Sequence, residues 1–118
     1  MSESRDLGLQ PIGELMDVWG LENHDLVEAS PEQLTHKQVQ RARKGRRLTL
    51  AMMMKLARSL NIAIWYRLEK AEREQFVEYL HKDLFNYAKG YTSDAEDPNR
   101  PLVDAVRGRG GKVISREP

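Results

Sequence analysis

The sequence contains no cysteine, which excludes a disulfide framework and any thiolate-ligated zinc site and fits a reducing compartment. It also lacks an apolar run near the roughly 18 residues of a membrane span, and its amino terminus does not show the basic-then-apolar order of a secretory signal. A cytoplasmic protein without membrane association is expected. Histidine is scarce. His24, His36 and His81 share no metal-ligand spacing and no recognisable cluster with carboxylates or nucleophiles, so no metal, cofactor or catalytic site is expected and the chain is not read as an enzyme. Glu72, Glu74, Glu78 and Asp83 interleave with Lys70, Arg73 and Lys82 at helical spacing, the pattern of surface ion pairing. The stretch Arg107 to Lys112, rich in glycine, lacks the strand-then-helix context of a phosphate-binding loop.

The most telling scarcity is local. Between Gln33 and Leu68 there is no acidic residue, while Lys37, Arg41, Arg43, Lys44, Arg46, Arg47, Lys55, Arg58 and Arg67 are all basic. Residues 1–32 hold one basic and eight acidic side chains, and residues 69–118 hold nine and ten, so segment charges of −7, +9 and −1 yield the net +1. A one-signed stretch of this kind is the footprint of a polyanionic partner; the plainer alternative is a solvated helix face. At 118 residues, with 40% hydrophobic and 31% charged content, the chain suits one small domain with a modest core.

The periodicity is helical. Pro11 suits a first turn, Ile12, Leu15, Met16 and Trp19 follow at helical spacing, and Gly20 ends that helix. A second helix is predicted from Asn23 to Ala29, interrupted by Ser30-Pro31. Thr35 to Gln38 matches a capping box, so a third helix runs from there to Lys44 and closes at Gly45. Only Val39 and Ala42 point inward on it. Thr49 caps a fourth helix, with Leu50, Met53, Met54, Ala57 and Leu60 as a buried stripe. From Ile62 to about Lys89 the pattern stays compatible with an amphipathic helix, carrying Trp65, Leu68, Phe76, Leu80, Leu84 and Tyr87 on one side, with a break expected between Leu68 and Phe76. Beyond Gly90 the turn chemistry of Asp97 to Pro101 and the basic glycine-rich stretch read as a flexible tail, with a strand or short helix near Leu102 to Val106. The division is thus residues 1–62 as a core, 63–89 as a helical extension and 90–118 as a tail, in an all-α fold of about five helices.

Two short helices joined by a tight connection, the second capped, basic and poor in apolar residues, describe a helix-turn-helix unit. The chain here resembles the lambda-repressor and Cro family (XRE-type) of DNA-binding domains. Gly20-Leu21-Glu22-Asn23-His24-Asp25-Leu26-Val27 is similar to the family's opening of helix two. Thr35 to Arg47 resembles its run through the recognition helix, and Leu56 to Ile62 its closing segment. The resemblance covers about half the chain, from Pro11 to Ile62. It implies that His36, Lys37, Gln40 and Arg41 face base edges, and that Asn23, Thr35, Lys44, Arg46 and Arg47 contact phosphates. Arg41 suits guanine and Gln40 suits adenine. Arg43 stands where the family has a Glu paired with an Arg of helix one, so a reversed pair with Asp17 or Glu14 is expected. Ser30 to Leu34 is longer than the family's turn.

The function expected from these features is sequence-specific binding of double-stranded DNA, as in a small prokaryotic or phage-type transcriptional regulator. A homodimer through the Trp65–Tyr87 region is a further expectation, since one short helix reads too little sequence alone; the alternative is that this region completes the monomer's own core. Two other readings remain: an adaptor or antitoxin-like module that binds protein through its carboxy-terminal helix, and an RNA-binding module.

Overall fold

Pro11 and Gly20 bound the first helix, α1 (Pro11–Trp19), which buries Ile12, Met16 and Trp19. The structure, a computed structural model, describes residues 8–87 and 97–108, and these form seven α-helices and no strand. Helix α2 (Asn23–Ala29) starts where the Asp25 carboxylate accepts the Glu22 N–H at 2.7 Å, and it stops at Ser30, ahead of Pro31. Helix α3 (His36–Lys44) begins with the expected capping box: Thr35 Oγ1 accepts from Gln38 N at 3.1 Å, and Gln38 Oε1 accepts from Thr35 N at 3.0 Å. Thr49 Oγ1 accepts from Met52 N at 3.1 Å and opens α4 (Leu50–Trp65). Each such cap satisfies N–H groups that the helix itself leaves without partners.

Helix α4 is the spine. It packs along α2, and Leu56, Ala57, Leu60, Ala63 and Ile64 form its buried face. That face corrects the expected stripe: Met53 is half-buried, but Leu50 and Met54 are exposed. At about 100° per residue Met54 lies some 120° round the helix from Leu60, too far to share its face.

The helix expected from Ile62 onward stops at Trp65, ahead of the break expected between Leu68 and Phe76, and among the described residues as far as Tyr87 no long helix resumes. The chain leaves α4 in a turn, makes two single-turn helices, α5 (Lys70–Arg73) and α6 (His81–Leu84), and runs extended between them. Two asparagines account for the extended course. Asn61 accepts from Tyr79 N and donates to Tyr79 O, each at 2.9 Å. Asn99 does the same to Val77, at 2.9 and 2.8 Å. Backbone groups satisfied in this way have no need of helical partners. Leu84 and Phe85 are buried, and Phe76 and Tyr87 pack partly buried against the core. Most of the apolar side chains expected on a dimer face therefore complete the chain's own core, while Trp65 and Leu80 stay exposed.

Helix α7 (Arg100–Gly108) corrects the tail expectation for residues 97–108. It packs on α1 and buries Leu102, Val103 and Val106. The short element expected near Leu102 to Val106 is this helix, and the boundary placed at residue 90 does not divide the core. The basic stretch from Arg109 to Lys112 lies outside the described residues.

Tyr79 joins these outer pieces to α1. Its hydroxyl accepts from Trp19 Nε1 at 3.2 Å and donates to the Asp97 carboxylate at 2.7 Å. Burial, aided by Asp97, raises the phenol well above its ordinary value of 10.0, so the folded state holds the protonated form. The stability from that proton is complete below about pH 10 and is lost as pH rises toward the folded-state value. Tyr79→Phe is expected to cost about 1–3 kcal/mol in urea denaturation near neutral pH, because Trp19 and Asp97 each lose a partner. Between pH 10 and 11 the wild type should lose stability more steeply than the variant.

Candidate nucleic-acid interface

Helix α3 buries two side chains, Val39 and Ala42, both fully. His36, Lys37, Gln40, Arg41 and Lys44 are exposed. At about 100° per residue these five span an arc of roughly 140° opposite the buried pair. The residues expected to meet base edges thus share one face, and Lys44 continues it. Among the described residues, the side chains of His36, Lys37, Arg41 and Lys44 have no hydrogen-bond or ion-pair partner. The remaining expected contacts flank that face. Thr35 is exposed at the N-cap, though its hydroxyl is engaged in capping. Arg46 is half-buried, and its carbonyl accepts from the Tyr87 hydroxyl at 2.9 Å. Arg47 is exposed, its guanidinium 5.1 Å from the centre of the Tyr87 ring. Burial raises the Tyr87 phenol, so it remains a donor to Arg46.

Three features hold α3 in place. Gly13 of α1 is buried where α1 packs on α3: a Cβ there would make ordinary contact with the Arg43 carbonyl at 3.5 Å, and only the end of the Leu9 side chain, at 2.9 Å, would have to shift. Gly45 adopts φ 93 and closes α3 in the left-handed conformation, where Gly8 N donates to Lys44 O at 3.2 Å. The third is the reversed charge pair: Arg43 Nη2 lies 2.8 Å from Asp17 Oδ1. Asp17, not Glu14, is the partner, so Arg43 does not join the residues expected at phosphate.

The longer α2–α3 connection is fastened to α4. Leu34 is buried, Lys55 Nζ donates to Gln33 O at 2.7 Å, and Arg58 pairs with Glu32. Arg67, in the turn after α4, is almost wholly buried; it donates to Gly20 O at 2.9 Å and lies 3.4 Å from Asp25 Oδ2. Four of the nine basic residues of the acid-free window are therefore tethers, and Arg67 drops out of the exposed site as its position beyond α4 suggests.

One contact was not legible from spacing. Asn23, expected at phosphate, is half-buried and engaged: Nδ2 donates to Gln40 Oε1 at 3.0 Å, and Oδ1 accepts from Arg43 Nη1 at 3.0 Å. Only the reversal at Arg43 hinted at it, since a cation there needs an acceptor on α1 or α2.

Among the described residues no group of His, Asp or Glu is placed to hold a metal ion, and no helix is long and apolar enough to cross a membrane. Comparison with models of known families, with curated proteins and with solved structures finds no match.

Gly45→Ala tests the anchorage of α3. Its Cβ would run into the Gly8 backbone and the left-handed φ would be strained. A loss of more than about 1 kcal/mol is expected in thermal or urea unfolding. A neutral outcome would show that the Gly8–Gly45 contact does not position the helix.

Proposed function

We propose that this chain binds double-stranded DNA in a sequence-dependent way, with α3 in the major groove, as a small transcriptional regulator of the lambda-repressor type. The observation that carries the reading is the face of α3: His36, Lys37, Gln40, Arg41 and Lys44 stand exposed on one arc over buried Val39 and Ala42. A nine-residue helix is about 13 Å long, and the major groove, about 12 Å wide, admits one. His36 and Lys37 in the first turn, with Gln40 and Arg41 behind them, meet base edges; Arg41 is the bidentate partner for guanine. Lys44, Arg46, Arg47 and the Thr35 end contact phosphates. Such a role belongs at the nucleoid, in the cytoplasm.

A symmetric pair of chains suits palindromic half-sites. Among the described residues of the expected dimer region, Trp65, Tyr66, Val77 and Leu80 are exposed and offer apolar surface for it. The same surface favours the second reading, an adaptor or antitoxin-like module that binds protein; RNA binding through the basic helix is the third.

Binding to duplexes from a random pool separates these readings. Log affinity should fall with log salt by about 0.9 per phosphate contact, and Lys44→Ala should lower that slope by about 1 while weakening all sequences alike. Arg41→Ala should cost roughly 1–3 kcal/mol on the selected site and relax preference at one position. No detectable binding to any duplex at low salt sinks the DNA reading.

A further inference from the structure

The polar chain beside α3 has a direction. A guanidinium only donates, and Arg43 spends Nη2 on Asp17 Oδ1 at 2.8 Å. Its Nη1 meets Asn23 at 3.0 Å and requires an oxygen there, so Oδ1 of Asn23 is committed to Arg43. The amide nitrogen of Asn23 is then the end that faces Gln40, and it donates to Gln40 Oε1 at 3.0 Å. Gln40 in turn keeps its carbonyl toward α2 and its NH₂ outward. The sense of both amides follows from the guanidinium behind them, since either amide alone is free to turn over.

We infer that Asp17, Arg43 and Asn23 form a positioning relay that fixes the amide sense of Gln40, so that α3 presents an N–H donor at mid-face and excludes cytosine from the base position Gln40 meets. The inference rests on the DNA-binding reading above. Guanine offers N7 and O6 acceptors in the major groove, adenine N7 and thymine O4, whereas cytosine offers only its N4 donor. Donor facing donor leaves both groups unpaired in a desolvated contact. An untethered glutamine would turn its carbonyl to the cytosine amine. Here that turn sets the Gln40 NH₂ against the Asn23 NH₂, so the relay opposes it. Asn23 and Arg43 act through Gln40 and need touch no base themselves.

Selection from randomised duplexes with the wild type, Gln40→Ala, Asn23→Ala and Asn23→Asp tests the relay, with circular dichroism confirming that each variant folds. Gln40→Ala identifies the position, as the one whose preference disappears. There the wild type should disfavour cytosine by about fivefold or more against its best base. Asp at position 23 still accepts from Arg43 but has nothing to donate, so Gln40 must donate to it and turn its carbonyl outward. In Asn23→Asp, cytosine should rise to a favoured base at that position alone. In Asn23→Ala, where no sense is imposed, the preference should flatten. Three outcomes overturn the relay while DNA binding stands: Gln40→Ala alters no position, the wild type accepts cytosine there, or Asn23→Asp selects as the wild type does. Failure of the folded wild type to bind any duplex overturns the functional reading, and the relay's role falls with it.

Discussion

Helix α3 is held to the protein by very little apolar surface, and the rest of the structure is arranged around that constraint. Val39 and Ala42 are its fully buried side chains, and burying a valine and an alanine yields about 2–4 kcal/mol. Two such side chains do not by themselves fix a helix in one orientation. What orients it is polar and geometric: the Thr35–Gln38 box at one end, Gly45 against Gly8 at the other, and Arg43 reaching Asp17 on α1. A helix anchored at its ends and along one edge keeps its opposite arc bare, which is the geometry a major-groove reader needs.

The layer around α4 obeys the complementary rule. Its apolar residues are plentiful, and the question is how the chain between α4 and α7 reaches them. Asn61 and Asn99 answer by offering amide edges to the backbone of Tyr79 and Val77, which lets the segment run extended and still bury its polar groups without loss. Tyr79 then drives its ring inward until the hydroxyl meets Trp19 and Asp97. Leu102, Val103 and Val106 of α7 complete the same core. Residues 97–108 are thus bound to α1 and to the extended segment together.

What could be read from the sequence divides along the range of the interactions involved. The bounds of the first three helices follow from local chemistry: Pro11, Gly20, the Thr35 box and Gly45 act within a turn of themselves, and the structure sets α1, α2 and α3 where those residues predict. The exposed face of α3 was legible for the same reason, since Val39 and Ala42 are its only inward candidates. The course of residues 66–87 was not. It depends on Asn61 and Asn99, which lie 18 and 22 residues from the positions they bind, and an asparagine in a helix or in a turn gives no sign of which distant backbone its amide will meet. Apolar periodicity continued through that stretch and suggested a helix, but periodicity records only that side chains are to be buried. The Asn23 contacts were hidden in the same manner: composition marks the residue as a helix start, and only the folded α2–α3 packing shows that its amide is occupied.

Charge sorting along the chain takes its meaning from which arginines the fold uses. Asp17, Asp25 and Glu32, all in the acidic first third, take up Arg43, Arg67 and Arg58. Two of these pairs are exposed enough that their worth to stability is at most about 1 kcal/mol. The third is buried, and its value lies in neutralising Asp25 where that carboxylate caps α2. The pairs remove opposite charges together, so the acidic third offers less repulsion toward a polyanion than its composition implies, and the basic window loses only the cations turned toward the protein. Lys37, Arg41 and Lys44 keep their charge on one arc. A net charge of +1 is therefore compatible with a positive exposed face on α3, because the fold pairs charge inside the scaffold and leaves the side chains of Lys37, Arg41 and Lys44 without a counterion among the described residues.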